Sequence, residues 1–343
     1  MGEPDNTKIM ERKGIISAGN WVIDTVKFIE RYPVKGNLAT ITGIEEGLGG
    51  CAHNVLLDLA HLKSGLPLYA AGCIGNDRYG RMVLDELAEF GIDSSKMTIL
   101  PDEATSYTDV MSELGGARTF FHYRGANAKL APAQILSCDV PARIFHLGYL
   151  LLLDELDRAD SEYGVVAARV LKGLKEQGYK TSVDVVSEEG ERFPQIVLPC
   201  LPYTDYLIVN EVEAGACYGV NLRDAAGTIQ VEKVQDIATR LMNDGVGELV
   251  VIHFPEGGYA LSRSGEKCYC GSYRVNPAEI VSTVGAGDAF CAGALFGIHE
   301  GYSLMEMLSF ANACARFNLF SPTSTSGAPV LEEVKAFLQT QMA

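Results

Sequence analysis

The sequence predicts an α/β protein with a central, mostly parallel sheet flanked by helices and a small β-sheet lid. Three observations carry that expectation. From Pro132 onward, β-branched runs alternate with amphipathic stretches of helical period, the pattern of parallel βαβ units. Twice, glycines stand directly before an apolar helical run, at Gly49-Gly50 and at Gly285-Ala286-Gly287, which leaves backbone N–H groups free at a helix start. Two alternating segments, 105–112 and 118–123, surround Leu114-Gly115-Gly116-Ala117 and read as a hairpin. A hairpin between βα units has no place in a parallel sheet, so it is assigned with 24–48 to a separate lid. The large body is then 14–23, 49–104 and 128–343, and the lid 24–48 and 105–127.

Taken in order, residues 1–13 form a polar lead without the apolar core of a secretion signal. Ile15 to Asp24 reads as one buried strand ending in a carboxylate, and 40–42 as strand content. The run 52–62 is an apolar helix, 67–75 a short strand, and Asn76-Asp77 caps a helix over 79–90. Strands are expected at 143–148, 180–186, 206–210 and 248–254, and helices at 159–177, 211–217 and 231–243. After Gly287 the run Cys291–Ile298 is apolar on every side, which marks a buried helix. An amphipathic helix over 303–320, a loop over 321–330 and a closing helix complete the chain.

Composition excludes several classes of function. An apolar fraction of 47% with 21% charged residues is ordinary for a globular protein. A net charge of −16 with no basic run argues against nucleic acid. No apolar run reaches the length of a membrane span, and a cytoplasmic protein is expected. Nine scattered cysteines make no disulfide framework, and they read as small core residues of a reducing compartment. His53 and His61 are eight apart and form no metal-binding pair; each reads as a loop or helix-surface histidine. His253, at a strand end, reads as structural.

The stretch Ser282-Thr-Val-Gly-Ala-Gly-Asp288-Ala-Phe-Cys-Ala-Gly-Ala-Leu closely resembles the C-terminal signature of the ribokinase-like (PfkB) carbohydrate kinases. Gly49, Gly50 and Asn54 match the family's Gly-Gly-x-x-x-Asn, and Asn210 and Glu213 its Asn-x-x-Glu. The resemblance spans about 14–340 and implies an ATP-dependent kinase with a ribokinase-like fold. It assigns Asp288 as general base toward a primary hydroxyl of a small sugar or sugar acid, with the amides of Gly285, Ala286 and Gly287 as an anion hole for the transferred phosphoryl group. Such a transfer asks for positioning and charge stabilisation rather than covalent help.

By the same resemblance Asp24 binds two sugar hydroxyls, aided by Gly49, Gly50 and Asn54. Asn210 and Glu213 hold Mg2+ and phosphate, Glu213 mostly through water. Gly258 lies near the nucleotide phosphates and Asn312 near adenine. Without the resemblance, Asp24 is a turn carboxylate and Asn210–Glu213 an acidic helix start. Where many relatives place an Asp beside an activating monovalent cation, this chain has Ser282, which leaves potassium activation open. A phosphosugar or nucleoside kinase is the alternative, with Arg124 as the basic group a phosphosugar would need. A non-catalytic sugar-binding regulator is a third reading, against which intact Gly285, Gly287 and Asp288 argue. The family often pairs its lids, so a homodimer through the lid is expected, with Ile41, Val110, Phe120 and Phe121 as its apolar members.

Overall fold

The computed structural model describes residues 12–113, 117–187 and 192–342. In chain order the strands are β1 (Ile15–Gly19), β2 (Val22–Ile29), β3 (Ile41–Gly49), β4 (Leu68–Gly75), β5 (Asp93–Leu100), β6 (Tyr107–Glu113), β7 (Arg118–Tyr123) and β8 (Ile144–Leu150). A two-residue ladder, β9 (Ala159–Asp160) with β10 (Gly164–Val165), precedes β11 (Lys180–Val185), β12 (Tyr206–Asn210), β13 (Leu249–Phe254), β14 (Gly257–Ser262) and β15 (Lys267–Gly271). The helices are α1 (Cys51–His61), α2 (Arg78–Glu89), α3 (Pro132–Leu136), α4 (Val166–Glu176), α5 (Phe193–Ile196), α6 (Glu211–Ala216), α7 (Val231–Asn243), α8 (Ala286–Glu300), α9 (Leu304–Asn318) and α10 (Leu331–Met342).

Nine strands form the main sheet in the order β15-β14-β13-β12-β11-β8-β1-β4-β5. All neighbours pair in parallel except β13–β14 and β14–β15. One apolar core lies on each face, as a parallel sheet covered by helices requires. The first core takes α3, α4, α6 and α7; the second takes α1, α2, α8 and α9. Alpha-helix α8 is buried from Asp288 to Gly297, and its small residues let α9 approach: a Cβ at Gly293 would lie 2.8 Å from the Ala311 Cα.

A second sheet, β3-β2-β6-β7, stands apart from the first. The antiparallel pairing of β6 with β7 is the expected hairpin; its turn at 114–116 lies outside the described residues. One expectation is corrected here. Residues 15–24 are two strands in two sheets, because the chain crosses over at Asn20-Trp21. Asn127 holds that crossing: its Oδ1 accepts from the Trp21 N–H at 3.2 Å and its Nδ2 donates to the Trp21 carbonyl at 3.1 Å. The Trp21 ring fills the core and donates to the Ala71 carbonyl at 2.9 Å.

The helix expected over 159–177 begins only at Val166. Asp160 Oδ1 accepts from the backbone of Glu162 and Tyr163, a local turn that competes with a helix, and Gly164 follows in the left-handed region at φ 80°. Residues 93–100, to which no element was assigned, form the edge strand β5. Its polar outer positions mask the strand period. No helix among the described residues is long and apolar enough to cross a membrane.

Candidate active site

Gly285 begins the site. It caps α8 with φ 79°, and an added Cβ would lie 2.2 Å from the Ser324 carbonyl oxygen. Only glycine combines that left-handed backbone with so close an approach. The Ala286 N–H turns back onto the Thr283 carbonyl at 3.3 Å, whereas the Gly285 and Gly287 N–H groups find no acceptor among the described residues. Two amides without a partner among the described residues therefore lie at the positive end of a 15-residue helix. Ser282 Oγ accepts from the Val284 N–H at 3.1 Å and shapes the approach to the helix.

Asp288 sits on the first turn of α8, buried. Its Oδ2 accepts from Asn54 Nδ2 at 2.6 Å and its Oδ1 from the Tyr149 hydroxyl at 3.1 Å. Burial pushes its carboxyl up, opposed by those two hydrogen bonds and by the nearby His53 ring. Loss of water outweighs those favourable interactions.

The Gly49-Gly50 turn and α1 bring the other half. Gly49 lies so close to Asp24 that a Cβ would stand 2.5 Å from the Asp24 Oδ2. Gly50, at φ 92°, packs on the Asn20 carbonyl. Asp24 accepts a hydrogen bond from Thr108, and burial again raises its carboxyl. Since the Thr108 proton points at Asp24, its Oγ1 accepts from His122 Nδ1 at 3.1 Å. Cross-strand register puts Asp24, Thr108 and His122 in one row of the lid.

His53 is not on the surface. It is buried, with Nδ1 3.0 Å from Asn54 Oδ1 and Nε2 2.6 Å from Glu86 Oε2. Ser324 Oγ donates to the same Asn54 Oδ1 at 3.0 Å. Two donors on Oδ1 leave Nδ2 to face Asp288, so Glu86, His53 and Ser324 together set the Asn54 carboxamide. None of Tyr149, His122, Glu86 or Ser324 was singled out from the sequence. They come from four separate segments and share no spacing.

At the end of β12, Asn210 and Glu213 cap α6 reciprocally: Asn210 Oδ1 accepts from the Glu213 N–H, and Glu213 Oε2 from the Asn210 N–H, each at 2.9 Å. Glu213 Oε1 also accepts from Ser187 at 2.7 Å. Burial lifts the Glu213 carboxyl to about 7. Asp24, Asp58, Asp184 and Asp288 are all raised as well, burial leading in each case. None of these five acids forms an ion pair with a described residue. A site so rich in acceptors and so poor in cations would suit a hard divalent ion held by oxygen.

Three further expected residues have close partners within the protein. Gly258 is buried where a Cβ would meet Phe290 and Leu308 at 3.0 and 3.1 Å. Asn312 donates to the Cys270 and Gly271 carbonyls at 3.2 and 3.4 Å. Arg124 pairs with Asp154 at 2.7 Å and reaches the Leu151 carbonyl. His253 stacks on Phe290, ring centroids 4.8 Å apart, and its burial lowers the ring to about 4, so it stays neutral.

Comparison with known proteins identifies the family and the fold. The family model described as "pfkB family carbohydrate kinase" matches residues 13–331. The chain is similar to a ribokinase of Arabidopsis thaliana, 28% identical over 303 residues that cover 88% of this chain and 74% of that protein. It is similar also to a 5-dehydro-2-deoxygluconokinase of Shouchella clausii, 26% identical over 309 residues, 86% of this chain and 87% of the relative. Among solved structures, Arabidopsis thaliana ribokinase complexed with ribose and ATP superposes with a TM-score of 0.79 at 21% identity, over 96% of this chain and 99% of that one.

Proposed function

The chain belongs to the PfkB family of carbohydrate kinases, and from that premise we propose that it phosphorylates a primary hydroxyl of a small sugar or sugar acid with ATP. The observation that carries this reading is the join between the two halves of the site. Asp288, on the first turn of α8 beside the open amides of Gly285 and Gly287, is bonded directly to Asn54 of the glycine-turn helix. The substrate hydroxyl gives its proton to the Asp288 carboxylate as its oxygen attacks the γ-phosphorus, and the bond from that phosphorus to the bridging oxygen breaks, ADP leaving with the electron pair. Gly285 and Gly287 then donate to the phosphoryl oxygens as their charge redistributes. Glu213 would hold Mg2+, which when bound would supply neutralisation of the phosphate charge. Gly258 and Asn312 act on the nucleotide through the packing of β14, β15 and α9. The nine cysteines, none in a disulfide, support a reducing, cytoplasmic setting.

The phosphosugar alternative is weaker because Arg124 would have to leave Asp154 to meet a phosphate. A coupled ATPase screen over ribose, fructose, 2-keto-3-deoxygluconate, nucleosides and phosphosugars tests the reading. Turnover with none of the sugars or sugar acids would end it.

Asp24 faces the sugar side of the lid, so Asp24→Ala is expected to raise sugar KM by about tenfold or more, the loss of a hydrogen bond to a charged group being roughly 1.5–3 kcal/mol. ATP KM should hardly move. Steady-state kinetics varying each substrate in turn check this, and an unchanged sugar KM would leave Asp24 a structural carboxylate of β2.

The lid also supports the proposed homodimer. Ile41 and Ile44 on β3 and Phe121 on β7 are 44%, 60% and 48% exposed, a large apolar area for a free sheet face. Val110, grouped with them from sequence, is only 4% exposed and belongs to the protomer's own interior. Sedimentation at micromolar concentration is expected to give a dimer, and Ile44→Glu a monomer. A wild-type monomer, or a dimer indifferent to Ile44→Glu, removes the lid interface.

A further inference from the structure

Below the glycine turn, three side chains to which the proposed kinase chemistry gives no individual role meet in the interior, one of them, Asp184, being among the acids that crowd the candidate active site. Cys51 is the first residue of α1, His146 lies in mid-β8 and Asp184 near the end of β11; all three are buried. Cys51 Sγ is 3.3 Å from His146 Nε2 and 3.4 Å from Asp184 Oδ2. One ligating atom from each of the three lies within 4.8 Å of the others. Around a tetrahedral ion with a sulfur bond of about 2.3 Å and a nitrogen or oxygen bond of about 2.0–2.2 Å, the two ligand atoms stand roughly 3.5–3.7 Å apart. The sulfur's separations of 3.3 and 3.4 Å come within a few tenths of an ångström of that.

The surroundings are those of a built site. Ser182, the cross-strand neighbour of His146, lies 3.1 Å from His146 Nδ1, so the other ring nitrogen is turned toward the sulfur. Such outer partners commonly orient a metal-binding imidazole. The β8–β11 register shifts between Val183 and Val185, at Asp184, and an irregularity of this kind re-aims a side chain. Gly148 makes room for the thiol, since a Cβ there would lie 2.5 Å from Cys51 Sγ.

We propose that Cys51, His146 and Asp184 form a binding site for a thiophilic divalent cation of the Zn2+ type, with water at the fourth corner. Thiolate and imidazole select such an ion over Mg2+, which takes oxygen ligands in octahedral geometry. On binding, the Cys51 S–H bond breaks, the S–Zn bond forms and the proton leaves to solvent. The ion ties the start of α1, and with it the Gly49-Gly50 turn, to two strands of the main sheet. Asp184 interacts electrostatically with Glu213 and Asp288 of the candidate active site, so the test is read from metal retention and spectra and needs no turnover.

The experiment uses the full chain, stripped with chelator and kept in excess Mg2+. One equivalent of Zn2+ is expected to survive desalting, by elemental analysis. Co2+ in its place should give a thiolate-to-metal charge-transfer band together with tetrahedral ligand-field bands. Cys51→Ser should abolish the charge-transfer band and weaken Zn2+ binding by more than about tenfold, and Ser182→Ala, which keeps all three ligands, should weaken it by about 10–100-fold. Far-UV circular dichroism checks that both variants fold. Should Cys51→Ser fail to fold, Ser182→Ala and the wild-type Co2+ spectrum still decide. Absence of retained Zn2+, a Co2+ spectrum without the thiolate band, or affinity unmoved by both substitutions would overturn the site.

Discussion

Asp288→Asn is expected to lower kcat by roughly 10²–10⁴-fold, the usual weight of a general base, while the dissociation constant for sugar stays close to wild type. The carboxamide keeps the shape of the carboxylate and can keep both bonds. Its oxygen accepts from Asn54 Nδ2, and its NH2 donates to Tyr149, whose hydroxyl rotates to accept. What it cannot do is take the substrate's proton. Calorimetry for sugar binding and a coupled assay for turnover separate the two effects, and near-normal kcat would remove Asp288 from the mechanism.

The same variant carries a pH signature. The folded state holds the Asp288 proton more tightly than the unfolded chain does, because burial raises its carboxyl. Its stability contribution is therefore present in full below the ordinary carboxylate range and is lost as pH rises through the raised folded value. Asn has no proton to lose. The Tm difference, variant minus wild type, should grow in favour of the variant as pH climbs from 4 toward 8. Measured without ligands, a difference that is flat with pH would show that Asp288 is not strained by its burial.

Gly285→Ala should be nearly as damaging for a different reason, and Gly287→Ala should not. At Gly285 a methyl meets φ 79° and a backbone oxygen 2.2 Å away, so either the helix start or the 321–327 loop must move. The loop carries Ser324, which holds Asn54 Oδ1, which in turn fixes the amide facing Asp288. A shift there disturbs the anion site and the base together. A kcat loss of roughly 10²–10³-fold, the order reported by removal of one oxyanion donor, is expected, with a lower Tm. At Gly287 the nearest atom to an added Cβ is His253 Cε1 at 3.4 Å, an ordinary contact. Alanine also favours a helix over glycine by about 1 kcal/mol, so Gly287→Ala should fold at least as well as wild type. Equal damage from both substitutions would contradict this account of the turn.

How much of this was legible in the chain depends on the range over which each signal acts. The buried helix after Gly287, the glycine turn before α1 and the strand–helix alternation after Pro132 are local patterns. Period and backbone freedom are written in consecutive residues, so the α/β class, the hairpin and Asp288 at a helix start could be read directly. The break between β1 and β2 could not, because Asn127, more than a hundred residues away, makes it. Nor could the late start of α4, where one Asx turn outcompetes a good helical period.

At the site the division follows the same physics. Gly285 and Gly50 stood out because the turn before each helix needs glycine, and Asp24, which lies inside β2, stood out only through the family resemblance. The neighbours that set their chemistry did not stand out. Tyr149 on Asp288, His122 behind Thr108, and the Glu86–His53–Asn54 chain are contacts between segments distant in sequence, and a lone histidine or tyrosine carries no spacing to mark it. His53 shows the difference most plainly. By position it was one more helix histidine; three-dimensional packing buried it against Glu86 and Asn54 and linked it to the base. Local sequence determined which backbone turns and helix ends this protein could build. Only the tertiary structure decided which side chains meet there, because burial and hydrogen-bond partners depend on what the rest of the chain brings to the same place.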